Sequence, residues 1–104
     1  MAYDVAQISN DLDFINLMSY DLHGSWESFV GFNAPLYSND ELSVDYAVKY
    51  WISLGASPEK LMLGMGTYGR SFRLCGSSST PGSCAAGGAT AGKVISSSSF
   101  LYLL

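Results

Sequence analysis

The sequence has few charged residues and no long apolar run. Charged residues make up 13 % of the 104 residues against 48 % hydrophobic ones, so the chain is not a solvated, disordered segment. Its net charge of -4 disfavours binding to nucleic acid or to anionic membranes. Because no run of about 18 apolar residues is present, no segment is predicted to span a membrane. We therefore expect neither nucleic acid nor a membrane as a partner.

Cysteine and histidine are also scarce. Cys75 and Cys84 are the only cysteines and lie in a segment rich in glycine and serine. Their spacing is compatible with a local disulfide, which would indicate an oxidising compartment, and equally with two unpaired thiols. The sequence has no CxxC motif and no Cys/His cluster, so we predict no metal site and no cofactor. Residues 1–5 lack the basic and apolar stretches of a signal peptide.

Two segments share a pattern in which an apolar strand runs into polar and aromatic residues. Residues 17–27 (LMSYDLHGSWE) pass from apolar residues into Tyr, Asp, His, Trp and Glu. Residues 61–72 (LMLGMGTYGRSF) pass from apolar residues into Tyr and Arg. Binding residues are often found where a rigid strand gives way to a loop. The pattern therefore indicates neighbouring strands that present polar and aromatic groups to one ligand.

The predicted elements form one strand–helix–strand unit. Residues 12–18 predict a buried strand of a parallel sheet, and residues 61–67 predict the second strand. The intervening helix would be capped by Ser43 and ended by Gly55. Its apolar stripe has the spacing i, i+3, i+4, i+7 and consists of Val44, Ala47, Val48 and Trp51, with Trp51 expected in the core.

The ends of the chain are predicted with less detail. Val5, Ile8 and Leu12 have helical spacing, which we interpret as the tail of a helix that starts before Met1. Residues 75–92 show no periodicity and predict a loop or an irregular insertion. Residues 94–104 have no globular pattern, and we hypothesise that they are translated intron sequence. One strand–helix–strand unit cannot cover both faces of its own sheet, so we expect a fragment of a larger α/β structure.

Several motifs carry more than one interpretation. The glycines of residues 64–69 match the GxGxxG pattern, but no helix is predicted after them, so close backbone packing is favoured over nucleotide binding. Asp21 and Glu27 flank His23, the one histidine, which we expect to be a hydrogen-bonding strut rather than a catalyst. Asp21 is a better candidate for a binding role than His23 or Glu27, because it lies beside Tyr20 at the C-terminal end of a predicted strand.

Aromatic residues near the strand ends indicate a sugar ligand. Tyr20, Trp26 and Tyr68 could together form a platform for a flat, partly apolar ligand, since aromatic faces stack on sugars and on bases alike. The acidic balance of the chain excludes nucleic acid and leaves sugars. The alternative is that Trp26 and Tyr37 simply cover the end of the fold.

Four motifs in this order and spacing resemble the glycoside hydrolase family 18 chitinases of the animal type: residues 18–27 (MSYDLHGSWE), 33–37 (NAPLY), 42–45 (LSVD) and 64–72 (GMGTYGRSF). The resemblance runs from about Tyr3 to Lys93. It implies an α/β fold that is a partial (β/α)8 TIM barrel, comprising about strands six and seven, the intervening helix and the start of an α+β insertion. The implied divisions are barrel residues 1–74, insertion residues 75–93 and a non-family tail at 94–104.

The resemblance also implies a mechanism and a set of sugar contacts. These chitinases hydrolyse β-1,4-linked N-acetylglucosamine polymers by substrate-assisted, retaining catalysis, in which the acetamido oxygen attacks its own anomeric carbon and a glutamic acid protonates the leaving oxygen. By motif, Tyr20 would hold the acetamido group, and Asp21 would bind sugar polar groups beside the scissile bond. The implied apolar floor, stacking surface and further polar contacts are Met18, Trp26, Tyr68 and Arg70.

One departure from the family limits what this chain can do. The family's acid lies in an Asp-x-x-Asp-x-Asp-x-Glu motif, and the nearest local stretch, residues 11–16 (DLDFIN), lacks the glutamate. We therefore expect this chain to be inactive alone and to be a piece of a secreted chitinase. The alternatives are a piece of a non-catalytic chitin-binding lectin, or an unrelated βαβ interaction module, which a solvated and mutation-tolerant segment 18–27 would favour.

Overall fold

The computed structural model describes residues 3–88 and the backbone of residues 100–103. The predicted insertion and tail therefore fall partly outside the described residues, at 89–99 and 104. In chain order the elements are α1 (Val5–Asp11), β1 (Ile15–Leu17), α2 (Val44–Ser53), a 3-10 turn (Pro58–Lys60), β2 (Leu61–Leu63), β3 (Arg70–Arg73) and β4 (Phe100–Leu103). The four strands form two separate two-stranded sheets, β1 with β2 and β3 with β4.

The predicted strand–helix–strand unit is confirmed, with shorter strands than the sequence indicated. β1 and β2 pair in parallel, with Ile15 opposite Leu61 and Leu17 opposite Leu63. The main-chain N–H of Gly64 adds one further hydrogen bond, of 2.9 Å, to the carbonyl of Leu17. Beyond this point the segments that follow β1 and β2 no longer pair as strands. The predicted strands 12–18 and 61–67 were therefore too long. Residues 12–14 connect α1 to β1, and Met18 and residues 64–67 belong to the loops that follow the strands.

The helix α2 begins and ends as the sequence predicted. The Ser43 hydroxyl accepts a hydrogen bond of 3.2 Å from the main-chain N–H of Tyr46. Gly55 has a φ of 102°, a left-handed conformation that glycine adopts without steric cost. Trp51 is half-buried rather than in the core, and its ring lies 5.9 Å from that of Tyr3.

The helix α1 begins within the chain, which corrects our interpretation of a helix that starts before Met1. The carboxylate of Asp4 accepts a hydrogen bond of 3.1 Å from the N–H of Gln7 and so caps the helix at Val5. At the other end, the ammonium of Lys60 donates to the carbonyls of Ser9 and Leu12, at 2.5 and 2.8 Å. A cation is favourable at a helix C-terminus, where carbonyls lack partners. Lys60 thus ties α1 to the start of β2.

The strands β3 and β4 were not predicted. They pair antiparallel, with Arg70 opposite Leu103 and Arg73 opposite Phe100. β3 carries two arginines and has one fully buried side chain, Phe72, so it lacks the apolar run that made β1 and β2 recognisable. β4 lies in the segment expected to be a non-family tail, where no strand was predicted.

A small apolar cluster joins the loop after β1 to β3. Val30, Phe72 and Ala85 are buried together, with Leu74 packed against them. The chain segments that carry them are linked by two isolated antiparallel bridges, Phe29 with Cys84 and Leu74 with Ala85. Cys75 and Cys84 form a disulfide beside this cluster, which settles the two alternatives for these cysteines. The segment predicted as irregular is thus fastened to the loop that contains the aromatic motif.

The β1–β2 sheet carries exposed apolar side chains. Ile15 and Leu17 of β1 are buried, whereas Met62 and Leu63 of β2 are 47 and 48 % exposed. Met18, just beyond β1, is 76 % exposed. This exposure agrees with the expectation that one such unit cannot cover both faces of its sheet. Among the described residues, no helix is both long enough and apolar enough to cross a membrane.

The disulfide gives a prediction about stability. Replacing both Cys75 and Cys84 by serine should lower the free energy of unfolding by about 2–3 kcal/mol, because the crosslink closes a short loop in the unfolded chain. Denaturant titration followed by circular dichroism measures this change. A reductant should destabilise the wild-type chain by a similar amount and leave the double variant unaffected. Equal midpoints for oxidised wild type and double variant would contradict the prediction.

Candidate functional site

The loops that follow β1 and β2 meet at the start of β3. Tyr20 and Asp21 lie three and four residues beyond the end of β1, Tyr68 lies in the loop after β2, and Arg70 opens β3. In a parallel pair the carboxyl ends of both strands lie at the same edge, so these loops leave the sheet side by side. Tyr20, Asp21 and Tyr68 are therefore brought together, as the sequence predicted.

The carboxylate of Asp21 joins the two loops. Its Oδ1 accepts a hydrogen bond of 2.5 Å from the hydroxyl of Tyr68 and one of 2.9 Å from Nε of Arg70. Nη2 of Arg70 donates to the same oxygen and completes an ion pair. Charge-assisted hydrogen bonds of this kind are short and stronger than neutral ones. One carboxylate thus fixes both a phenol and a guanidinium.

These contacts fix the charges of the site at neutral pH. The hydrogen bond from Tyr68, and then that from Arg70, hold the pKa of Asp21 below its ordinary value. The same hydrogen bond raises the pKa of Tyr68, because loss of its proton would place two negative charges side by side. Hydrogen bonding to Asp21 also raises the pKa of Arg70. The site therefore presents a carboxylate, a neutral phenol and a cation.

Aromatic rings surround this polar group. The rings of Tyr20 and Tyr68 meet edge to face, with centroids 6.0 Å apart. The guanidinium of Arg70 lies 5.3 Å from the ring centre of Trp26 and 5.4 Å from that of Tyr68. Such cation–π contacts orient both partners. Because Trp26 is 59 % exposed, most of its surface is accessible to a ligand.

Five of the six predicted site residues are linked by these contacts, and Met18 is not. The side chain of Met18 is 76 % exposed, and it makes none of the hydrogen bonds or ring contacts that connect the other five. It lines an apolar groove of about 640 Å³ with residues of α1, β1 and α2, including Ile8, Leu17 and Trp51. Tyr37 is also outside the group of contacts and is 72 % exposed.

His23 has the geometry of a strut. It is buried, and its Nδ1 lies 3.0 and 3.3 Å from the two carboxylate oxygens of Glu27. The same carboxylate accepts a hydrogen bond from the N–H of Gly24. The imidazole packs edge to face on Phe29, with ring centres 5.7 Å apart. These contacts tie the ends of the turn that carries Trp26.

The glycine motif has the packing role that was favoured for it. The strand β3, rather than a helix, follows residues 64–69, so the N-terminus that a pyrophosphate requires is absent from this described segment. A Cβ at Gly66 would lie 3.2 Å from the Cβ of Tyr20 and 3.4 Å from the ring of Tyr68. Glycine there lets the two tyrosines approach each other. Among residues 3–88, no three His, Cys, Asp or Glu side chains converge to hold a metal ion.

Asn33 was assigned no role from the sequence and was mentioned only within the motif at residues 33–37. Its side chain is 1 % exposed, and its amide bonds to both loops of the site. The available signal was its place at the start of the motif at residues 33–37, which carries part of the family resemblance but does not show which groups the amide contacts. The partners of its side-chain amide lie 12 and 35 positions away in the sequence.

Comparison with known proteins identifies the family. The sequence model described as glycosyl hydrolases family 18 matches residues 1–99. The chain therefore belongs to glycosyl hydrolase family 18, as the motif resemblance indicated. The match continues past Lys93, and the proposed boundaries at 74/75 and 93/94 stay predictions.

The individual relatives include one protein described as a chitinase and one described as a pseudo-chitinase. Oviduct-specific glycoprotein of Sus scrofa is 50 % identical over 103 residues, which cover 96 % of this chain and 20 % of that protein. Human YKL-39, described as a pseudo-chitinase with retained chitooligosaccharide binding, has a TM-score of 0.82 at 44 % identity, covering 95 % of this chain and 30 % of that one. The Group IV chitinase of Ostrinia furnacalis has a TM-score of 0.80 at 38 % identity, covering 96 % and 30 %. The chain thus spans less than a third of these relatives.

The site geometry predicts how Tyr68 responds to loss of its acceptor. In Asp21→Asn the pKa of Tyr68 should fall toward the ordinary tyrosine value, because the phenolate would no longer face a carboxylate. Ultraviolet absorbance of tyrosinate during a pH titration measures this, with Tyr68→Phe identifying the Tyr68 component. Asp45→Asn is the matched control, since Asp45 pairs with Lys49 on α2 instead. A Tyr68 titration that is the same in Asp21→Asn and wild type would refute the assigned hydrogen bond.

Proposed function

We propose that this chain supplies part of a binding site for chitin or N-acetylglucosamine oligosaccharides. The observation that carries the proposal is the joined group of Asp21, Tyr68 and Arg70 beside the exposed rings of Tyr20 and Trp26. It offers charged and neutral hydrogen-bonding groups next to apolar aromatic faces. A pyranose ring needs both, because it has hydroxyl groups at its edge and C–H groups on its faces.

Each side chain has a role in this proposal. Tyr20 would hold the acetamido group, Asp21 would accept from sugar polar groups, and Tyr68 and Arg70 would contribute further polar contacts. Trp26 would stack on a neighbouring sugar. Met18 would form an apolar floor under one sugar ring, and its exposure leaves its side chain free to do so.

Membership of the family supports a setting for this site within a whole protein. We propose that β1 and β2 are strands six and seven of a (β/α)8 barrel, and that their exposed apolar side chains pack against the rest of that barrel. The solved relatives have this family's fold, and the chain covers about 30 % of them. Secretion fits the Cys75–Cys84 disulfide, because disulfides persist in oxidising compartments.

Hydrolysis requires a group that this sequence does not contain. The family's general acid lies in a motif that is absent here, and general acid catalysis contributes about 10²–10⁴-fold to a rate. We therefore propose that the whole protein is a chitinase that acts by the substrate-assisted retaining route, and that this chain alone is inactive. Asp21 cannot replace the acid, because its low pKa keeps it ionised at neutral pH.

A second candidate is a non-catalytic chitin-binding lectin. Human YKL-39, the relative described as a pseudo-chitinase, keeps chitooligosaccharide binding and is 44 % identical to this chain. The residues proposed here to contact sugar serve binding in either case. The two candidates differ only in the acid motif, so sequence preceding residue 1 would distinguish them.

Binding is tested with N-acetylglucosamine tetramer and isothermal titration calorimetry. We expect Trp26→Ala to weaken binding about five- to tenfold, which is about 1–1.4 kcal/mol, because it removes the stacking face. Tyr50→Ala is the matched control, since Tyr50 is an exposed aromatic residue that stacks on Tyr46 of the same helix. Equal losses in both variants, or no binding by the wild-type chain, would contradict the proposed site.

Hydrolysis is tested separately on the purified chain. We expect no release of reducing ends from a chitin oligosaccharide, because no proton donor of the required kind is present. The Asp21→Ala variant distinguishes real activity from a contaminating enzyme. Hydrolysis by the wild-type chain that is abolished in Asp21→Ala would overturn the assignment of this chain as catalytically incomplete.

A further inference from the structure

Among residues 3–88, Asn33 is the one fully buried polar side chain that contacts both loops of the site. Its Oδ1 accepts a hydrogen bond of 2.9 Å from the main-chain N–H of Asp21. Its Nδ2 donates one of 3.2 Å to the main-chain carbonyl of Tyr68. Only this orientation of the amide satisfies both partners, because one offers a donor and the other an acceptor. Asn33 therefore links the loop after β1 to the loop after β2.

These bonds are not those of an ordinary turn asparagine. A turn asparagine bonds to its own backbone about two residues away. The side-chain partners of Asn33 lie 12 and 35 positions distant in the sequence. Its own carbonyl also accepts from the N–H of Leu22, at 2.9 Å. Asn33 thus makes three hydrogen bonds to the two loops, two through its side-chain amide and one through its main-chain carbonyl.

The segment that Asn33 holds is conformationally unusual. Asp21 has a φ of 57°, the left-handed region, and is the only described non-glycine residue with a positive φ. This conformation is uncommon for a residue with a side chain and persists when neighbouring contacts enforce it. The hydrogen bond from the N–H of Asp21 to Asn33 is such a contact. This hydrogen bond therefore holds the backbone of Asp21, the residue whose carboxylate contacts both Tyr68 and Arg70.

We propose that Asn33 is a positioning residue that sets the separation of Asp21 and Tyr68 and thereby maintains their side-chain hydrogen bond. Its amide forms hydrogen bonds to the backbone of both residues and so fixes the distance between the two loops. Its effect on sugar binding rests on the proposed function, whereas its effect on the Asp21–Tyr68 contact does not. Asn33 is too deeply buried to touch a ligand itself.

Substitution of Asn33 by leucine tests this role, because leucine has a similar size and no hydrogen-bonding group. In folded Asn33→Leu we expect the Tyr68 tyrosinate titration to shift to lower pH, toward its position in Asp21→Asn. The double variant Asn33→Leu/Asp21→Asn should show no further shift, since both changes remove one interaction. Asn39→Leu is the matched control, since Asn39 is an exposed residue of the same loop.

A merely structural role would give a different result. Asn33→Leu would then lower the unfolding midpoint but leave the Tyr68 titration of the folded chain at its wild-type position, which would overturn the proposal. If Asn33→Leu does not fold, Asn33→Ser, which is smaller and keeps a hydroxyl, is measured in the same way and judged by the same criterion.

Sugar affinity separates this inference from the proposed function. We expect Asn33→Leu to bind N-acetylglucosamine tetramer about tenfold more weakly than wild type, as expected for loss of about one well-formed hydrogen bond at the site. A wild-type chain that does not bind the tetramer would refute the proposed function. A shifted Tyr68 titration in that case would still support the positioning role.

Discussion

The hydrogen bonds between Asp21 and its partners Tyr68 and Arg70 are the interaction on which the site depends. They join the loop after β1 to the loop after β2 and to the start of β3. The two short parallel strands bring these loops to one edge, but three residue pairs of ladder do not determine where side chains meet beyond it. Their positions are determined by the carboxylate of Asp21, which orients the phenol of Tyr68 and the guanidinium of Arg70. Tyr68 and Arg70 in turn contact the rings of Tyr20 and Trp26.

The supporting contacts all act on the same loops. His23 and Glu27 hold the turn that carries Trp26. The cluster of Val30, Phe72 and Ala85, with the nearby disulfide, fastens the later part of that loop to β3. The cluster therefore anchors the loops of the site, while apolar side chains of the sheet such as Met62 and Leu63 stay exposed. Exposed apolar side chains of this kind are expected of a part of a larger domain.

Local patterns in the sequence were sufficient for α2, for the pairing of β1 with β2 and for most of the site. The spacing of Val44 to Trp51, with Ser43 and Gly55 at its ends, predicted α2, because capping and amphipathicity are local properties. The polar residues after β1 and β2 predicted that Tyr20, Asp21 and Tyr68 would meet. The sequence did not predict β3, whose only buried residue is Phe72, nor the role of Asn33, whose partners are distant in the sequence. Asp21 and Tyr68 are also distant in the sequence, but their meeting follows from the parallel pairing of β1 and β2. The position of Asn33 within an irregular loop follows from no periodic pattern.

The central claim is that the aromatic and charged groups at this edge contact an N-acetylated sugar. Intermolecular nuclear Overhauser effects between the acetamido methyl groups or ring protons of N-acetylglucosamine tetramer and the chain measure that contact directly. The account predicts effects to the ring protons of Tyr20, Trp26 and Tyr68. Effects confined to Tyr37 and Phe32, which line a different groove, would contradict it.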